Sequence, residues 1–328
     1  MSALPQYGSH LHPHEKMRAV VIDRYGGPEV LRPTTVPRPV PTRGQVLVRT
    51  RFIGVNPKDV IVRKGKFKVA TGNKFPLLVG HDIAGEVVEA GVGADLAEGD
   101  VVYGMINDFA GRAYAEYAAV DCQELAKAPS SIELRVAAAV PLAAQTALQA
   151  LRDDARLEPG QSVLINGASG GVGVFAVQIA KILGAHVTAV CSYRNLELAH
   201  ELGADRVIDY TKTELVGLTE RFDAIFDVFG NYRFDKLAHL LTPRGIYVHT
   251  IPSARIIKDI ARTFFRGKRA KLVFVRSRRS QLDWIRQQID AGRLRVVVDR
   301  SFSLEDAAEA HRYIETKRAR GKVVLEVG

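Results

Sequence analysis

From Met17 onward the chain shows short β-branched runs closed by proline or glycine. Residues 17–23 (MRAVVID) and 45–55 (QVLVRTRFIGV) read as strands, with the Pro-rich stretch 33–44 as a loop between them. Residues 81–91 and 99–105 are further strand runs, each ended by glycine turns. No long helix separates them, so the pattern predicts a β-rich first domain over 17–135, built as a partly open barrel. Residues 1–16 show no periodicity and predict a flexible N-terminal extension.

The texture changes near Ile132. Residues 133–155 are rich in Ala and Leu and predict helix. Strands are then predicted at 162–166, 186–192, 206–210, 222–230 and 245–251, with helices at 172–184, 195–204 and 234–241 between them. Continuous apolar strands alternating with helices mean a parallel sheet covered on both faces. The second domain is therefore a doubly wound α/β unit over 136–272. The tail resumes β character at 294–303, passes through a helix at 303–318 and ends in a strand at 321–328. Residues 273–328 are expected to return to the first domain and complete it.

The chain has 328 residues and is 47% hydrophobic, enough for two cores. At 25% charged residues it is not a disordered composition. No apolar run reaches the roughly 18–20 residues that span a bilayer, and the polar start lacks the apolar core of a secretory signal. Only Cys122 and Cys191 are present, which excludes a disulfide framework and predicts a cytoplasmic location. Net charge is +10, and much of the excess lies in 261–279, a stretch without acids in which Phe264, Phe265 and Phe274 are interleaved. Read as a helix and loop between the domains, with basic side chains lying over apolar packing, it needs no partner. RNA or an anionic membrane surface is the alternative, and nucleic acid is the less expected of the partners. His10, His12 and His14 alternate in the N-terminal stretch, where adventitious metal capture is their only suggested chemistry.

Residues 163–173 (VLINGASGGVG) run from an apolar strand into glycines and then into a helix. A dinucleotide pyrophosphate binds backbone N–H groups at a helix N-terminus, where the dipole favours anions. Side chains would block that approach, so Gly170, Gly171 and Gly173 are expected, with Ala168, Ser169 and Val172 completing the loop. In the G-x-G-x-x-G pattern Ala168 takes the place of the first glycine. A purely structural turn is the competing reading. A site for NAD carries an acid at the end of the second strand, roughly 20 residues past the glycines. Here that strand ends VTAVCSYRN, with no acid. Ser192 and Arg194 suit a 2′-phosphate instead, so NADPH is the predicted cofactor.

The runs GVNPKDVIVRKG, FPLLVGHDIAGEVVEAGVG, AYAEYAAV, PLAAQTALQAL, GASGGVGVFAVQIAKILGA, LGADRVIDY and GKVVLEV lie between about Met17 and Val327. Together they resemble the medium-chain dehydrogenases/reductases, and within them the zinc-free, zeta-crystallin-like quinone oxidoreductases. The resemblance implies an α/β fold with a GroES-like β-rich catalytic domain and a Rossmann domain, a small quinone or enone substrate, and a homodimer formed through the cofactor domain's sheet. It also implies that zinc-dependent members hold catalytic zinc with Cys, His and Cys. Those positions here are Asn56, His81 and, nearby, Leu142. Catalytic zinc needs three protein ligands and an open position, which one imidazole cannot replace. Residues 99–117 carry no Cys for the structural zinc. No metal is expected, and His81 reads as a structural residue or a polar group on a pocket wall.

Without zinc, quinones and α,β-unsaturated carbonyls remain suitable hydride acceptors. The protein supplies orientation and a dry site, and the cofactor supplies the chemistry. The resemblance places Asn56 in the substrate pocket and Thr146 beside the nicotinamide. Asn56 would bond a substrate carbonyl or the ribose, with a turn before Pro57 as its alternative. Thr146 competes with an ordinary helix hydroxyl. Asp59 would orient Lys58 or a substrate group, or be a simple loop charge. Tyr210, Phe229, Gly230, Thr250 and Ile251 fall at strand ends on the carboxyl edge, where α/β sheets bind ligands. Phe274 and Val275 are assigned to the nicotinamide wall, and Lys322 to cofactor or substrate. Strand-end packing competes for all of them. Tyr103, Tyr114 and Tyr117 are possible proton donors, with solvent as an equal alternative.

The reading that joins these features is an NADPH-dependent reductase of quinones or conjugated carbonyls, working in a cleft between the two domains. One alternative is an enoyl-thioester reductase of the same fold. The other is an NADPH-binding protein of little turnover, with an RNA, lipid or protein partner on its basic face.

Overall fold

Near-continuous apolar runs form a parallel sheet because both faces of such a sheet are covered. Six strands do so here: Ser162–Asn166, His186–Cys191, Arg206–Asp209, Phe222–Asp227, Leu241–His249 and Arg269–Leu272. Their hydrogen-bonded order, by first residue, is Arg206, His186, Ser162, Phe222, Leu241, Arg269, all parallel. Leu164, Ile165, Ala189, Val190, Ile225 and Phe226 are buried in it. The order reverses between the strands at Ser162 and Phe222, and that switch point is where open α/β sheets accept ligands. The structure is a computed structural model that describes residues 11–328. This sheet belongs to a compact unit of Ala143–Val275 with Gly292–Val297.

The other unit comprises residues up to Leu142, with Arg276–Ala291 and Val298–Gly328. Its larger sheet has strands beginning, in spatial order, at Val298, Lys322, Gln45, Asp82, Val101 and Leu125. Tyr117–Asp121 also pairs with Gln45–Val55. A smaller sheet joins Leu31–Pro39, Leu11–Ile22 and Leu77–Leu78. Val46, Val48 and Ile53 from the strand at Gln45 share one core with Ile83, Val102, Leu125 and Val323. The C-terminal strand Lys322–Glu326 is thus an internal strand, antiparallel to Gln45–Val55 on one side and parallel to Val298–Ser303 on the other.

Several expectations need correction. Residues 31–39 are a strand and not a Pro-rich loop. Pro33, Pro37 and Pro39 pair across from Val20, Lys16 and Leu11 on an edge of the smaller sheet, where a missing N–H leaves no internal ladder broken. The first strand begins at Leu11, six residues before the predicted start, and a register shift between His12 and Lys16 absorbs the irregular spacing. His10 and the remainder of the predicted extension over 1–10 lie outside the described residues. The helical stretch 133–155 is broken into Leu134–Ala137, Pro141–Leu148 and a π-turn at Gln149–Asp154. Pro141 cannot continue a helix but readily starts one. Helix Arg279–Asp290 lies outside the predicted elements, although Leu282, Ile285 and Ile289 carry the spacing of its buried face.

The basic stretch also departs from expectation. It contains the end of helix Ala254–Thr263 and the edge strand Arg269–Leu272. Its aromatic residues are not packed beneath basic side chains: Phe264, Phe265 and Phe274 are 65%, 94% and 62% exposed. The helix spends Ile256 and Thr263 on the core and leaves the following phenylalanines outside. Among the described residues no helix is long and apolar enough to cross a membrane.

Candidate functional site

Strand Ser162–Asn166 ends in a turn whose first residue, Gly167, has φ +86°, a conformation that suits glycine. The N–H groups of Gly167 and Ala168 donate to the Val190 carbonyl at 3.1 and 3.0 Å, fixing the turn to the neighbouring strand. Gly170 N–H donates back to Gly167 O at 3.1 Å. Helix Gly173–Ile182 starts against this turn so closely that a Cβ on Gly173 would lie 2.1 Å from Gly167 O. Gly170 differs, because a Cβ there would meet only Gly167 O at 3.5 Å. Its backbone faces open space beside a helix N-terminus with unpaired N–H groups and a favourable dipole. Ala168 is buried, and Ser169, Gly171 and Val172 are half-buried around it. The arrangement fits a pyrophosphate.

The second strand, His186–Cys191, delivers Ser192 and an exposed Arg194. Arg194 Nε donates to the Tyr193 hydroxyl at 3.0 Å, and its guanidinium lies 5.5 Å from that ring's centre. Asn195, not singled out in the sequence, joins this end of the site to the glycine loop. Its Nδ2 donates to Ser169 Oγ at 3.0 Å and to Ser192 Oγ at 3.4 Å. Its buried Oδ1 has no hydrogen-bond partner among the described residues. The signal for it was position alone, three residues past Ser192 at a helix start.

The carboxyl edge gathers most of the remaining cofactor candidates. Tyr210, Phe229 and Ile251 are exposed there, with Tyr210 N–H donating to Cys191 O at 3.2 Å. Phe229 stands beside Gly167, and Ile251 beside Gly230. Thr250 Oγ1 donates to Val228 O at 2.9 Å, and Ile251 N–H donates to His249 Nδ1 at 3.0 Å. Beneath them Asp227 accepts from Asn166 Nδ2 at 2.7 Å, Gly230 N–H at 2.8 Å and the Tyr247 hydroxyl at 2.8 Å, so the strand ends are held together. Phe274 is exposed and Val275 half-buried past the last strand, and Thr146 is buried on helix Pro141–Leu148.

In the other unit, Asn56 starts helix Pro57–Arg63 in a capping box, its N–H donating to Asp59 Oδ2 at 2.8 Å. Asn56 Nδ2 donates to Asp82 Oδ2 at 2.9 Å and to Gly54 O at 3.2 Å, so both amide hydrogens are used within the protein. Lys322 Nζ donates to Asn56 Oδ1 and to Val55 O at 3.2 Å, and lies 3.6 Å from Asp82 Oδ2. The backbone N–H of Leu142 donates to the other Asp82 oxygen at 2.8 Å. Burial pushes Asp82 up to about 6, against the pull of Lys322 and Asn56. Burial also lowers Lys322, with Asp82 opposing.

Asp59 is fully buried and is no loop charge. Its Oδ1 meets His81 Nδ1 at 2.5 Å, and the Tyr114 hydroxyl lies 3.3 Å from its Oδ2 and 2.8 Å from His311 Nε2. Burial would raise the Asp59 carboxyl, but the His81 hydrogen bond and neighbouring histidines hold it below its usual range. Burial depresses His81 and pushes His311 down to about 4. The Tyr103 hydroxyl donates to Leu282 O at 2.7 Å. Burial raises both Tyr103 and Tyr114. Tyr117 is half-buried under Arg38, whose guanidinium is 4.6 Å from its ring centre. Among the described residues no three His, Cys, Asp or Glu side chains stand together as metal ligands.

Residues 42–130 match the alcohol dehydrogenase GroES-like domain, and 202–325 match the zinc-binding dehydrogenase model. The chain is 33% identical to the chloroplastic quinone-oxidoreductase QR1 of Triphysaria versicolor, over 94% of its own length and 98% of the relative's. It is 34% identical to the chloroplastic NADPH-dependent alkenal/one oxidoreductase of Arabidopsis thaliana, over 95% and 80%. The quinone oxidoreductase structure from Coxiella burnetii superposes with a TM-score of 0.89 at 29% identity, covering 96% of this chain and all of that one.

Two consequences are measurable. Gly170→Ala should fold normally yet weaken dinucleotide binding at least about tenfold, because the methyl enters the space left for phosphate. Gly173→Ala should instead destabilise the fold by about 1–3 kcal/mol or more, since backbone must shift; calorimetry and cofactor titration separate the two. For His311 the folded pKa is depressed, so its contribution to stability is present above about 6.5 and is lost as pH falls through about 4. Relative to His311→Gln, the native chain should lose about 3 kcal/mol across that window. Urea unfolding at several pH values reads the difference directly, and a pH-independent difference would contradict it.

Proposed function

Because this chain belongs to the medium-chain dehydrogenase/reductase family, in its quinone oxidoreductase group, we propose that it uses NADPH, without zinc, to reduce quinones or α,β-unsaturated carbonyls. The observation that carries the cofactor choice is the end of the second parallel strand. Ser192 and the exposed Arg194 stand there with no acid between them. A 2′-phosphate would be neutralised by the guanidinium and accept from the serine hydroxyl. The neighbouring strand does end in Asp209; its Oδ1 accepts from Thr211 N–H and Oγ1 at 3.0 and 2.8 Å, while its Oδ2 has no hydrogen-bond partner among the described residues. The name of the Arabidopsis relative, an NADPH-dependent alkenal/one oxidoreductase, supports the same choice.

Bound NADPH supplies the hydride. The glycine loop holds its pyrophosphate, with Ala168, Ser169, Gly170, Gly171, Val172 and Gly173 around it. Tyr210, Phe229, Thr250 and Ile251 line the same sheet edge, and Phe274 and Val275 continue it. Thr146 and Asn56 are the residues we assign to the reacting end. Asn56 acts by shape and position, since its amide hydrogens are spent on Asp82 and Gly54. Lys322 fixes that amide. Its ammonium beside Asp82 also places a positive charge where a divalent ion would be repelled, and Asn56 and Leu142 stand where the resemblance puts cysteines. Acceptors already conjugated to a carbonyl need orientation more than Lewis-acid activation.

The test is loss of reduced-cofactor absorbance with a benzoquinone, a naphthoquinone, an alkenal and an enoyl-thioester, each with NADPH, with NADH and with a chelator. Chelator-resistant turnover of a quinone or alkenal, favouring NADPH, is expected. Turnover confined to the thioester would move the activity to that class, and tight NADPH binding without turnover would make this a binding protein. Arg194→Asp should raise the NADPH KM at least about tenfold and leave the NADH KM nearly unchanged; equal effects would refute the 2′-phosphate assignment.

A further inference from the structure

We propose that the outward face of helix Ala254–Thr263, with the two phenylalanines that follow it, docks this protein on an anionic lipid surface. A helix on a sheet needs one apolar side, and this helix has two. Ile256 and Thr263 are buried, and Ile260 packs against the same core. Ile257, however, is 61% exposed, and Phe264 and Phe265 follow on the outside. At about 100° per residue, Ile257, Ala261 and Phe264 fall on one stripe about a quarter turn from the buried Ile256, Ile260 and Thr263, with Phe265 at its margin. Such a cluster of bare apolar side chains marks an interaction surface more often than a plain exterior.

The charges around it identify the partner. Lys258, Arg262 and Arg255 lie along one flank of the stripe, and Arg266 follows the phenylalanines. All four are exposed, and among the described residues none makes an ion pair. The helix's single acid, Asp259, is half-buried and points away from the stripe. The patch is therefore apolar at its centre and cationic at its rim. A polyanion of any kind would answer the charge, but the rings separate the possibilities. Phe264 and Phe265 stack edge to face, 4.9 Å between centres at 84°, and the other two members of the stripe, Ile257 and Ala261, are aliphatic. That arrangement offers no row of open ring faces for successive bases. Apolar side chains projecting within a cationic rim match the boundary between acidic headgroups and acyl chains. The surface belongs to the parallel-sheet unit alone, and the inference holds whichever acceptor the protein reduces.

Full-length protein would be sedimented with phosphatidylcholine vesicles, with and without about 30% phosphatidylserine. We expect binding to the acidic vesicles at least about tenfold tighter than to the neutral ones, weakened by salt. F264S/F265S and R262E/R266E should each weaken it about tenfold, with thermal midpoints and circular dichroism unchanged. No binding to the acidic vesicles, or binding that survives both double variants, would overturn the proposal. So would single-stranded RNA binding that needs the arginines and not the phenylalanines, or self-association abolished by F264S/F265S.

Discussion

A lysine ammonium without access to water must find all its partners in the protein, and the partners of Lys322 come from the far end of the chain. It donates to the Val55 carbonyl and to Asn56, and lies beside Asp82. The same carboxylate takes Asn56 Nδ2 and the backbone of Leu142. Removing Lys322 or Asp82 leaves the other buried without its charged partner, an effect of about 3–5 kcal/mol. The cluster therefore sets more than local packing. It pins the last strand to the third, fixes the start of helix Pro57–Arg63 and holds Asn56 in one orientation. The Asp59, His81, Tyr114 and His311 chain continues from that helix, so two buried networks meet at a single turn of backbone.

The parallel-sheet unit works by a different constraint, close approach of bare backbone. Gly173 brings the helix start against the Gly167 carbonyl, and Gly170 leaves a gap that no side chain enters. One glycine is needed by the fold and the other by what the fold holds. Asn195 ties that loop to the end of the second strand, so the glycine loop and Ser192 are held together. Specificity in such a site rests on a few groups at strand ends, while the strands behind them only need to be apolar and of the right length.

This division explains what was legible in the sequence. The strand Ser162–Asn166, its glycines and its helix stand out because a buried parallel strand is nearly all apolar and a phosphate cradle tolerates few residue types. Leu31–Pro39 was hidden because its prolines signal a loop, and only an edge position makes them harmless. Helix Arg279–Asp290 was masked by the basic residues that precede its apolar spacing. Asn56 is singled out by resemblance alone, and its hydrogen bonds depend on Asp82 and Lys322, 26 and 266 residues away, which no local pattern reports. Phe264 and Phe265 read as packed side chains because sequence gives composition without saying which side of a helix the core will occupy.

The position of the last strand also bears on how the chain is made. Synthesis delivers residues 143–275, which contain every strand of the parallel sheet, as an almost continuous unit that takes only Gly292–Val297 from beyond it. The larger sheet of the other unit is different, because Lys322–Glu326 lies inside it, between strands that begin at residues 45 and 298. Until Lys322–Glu326 is synthesised, residues 52–55 of strand Gln45–Val55 lack their partner on one flank, although residues 45–49 can already pair with Tyr117–Asp121, and Asn56 lacks its ammonium partner. Residues 52–55 are thus made long before the strand that completes their pairing. A chain lacking Lys322–Glu326 would lose an inner strand of that sheet, and with it Val323 and Leu325 of the shared core.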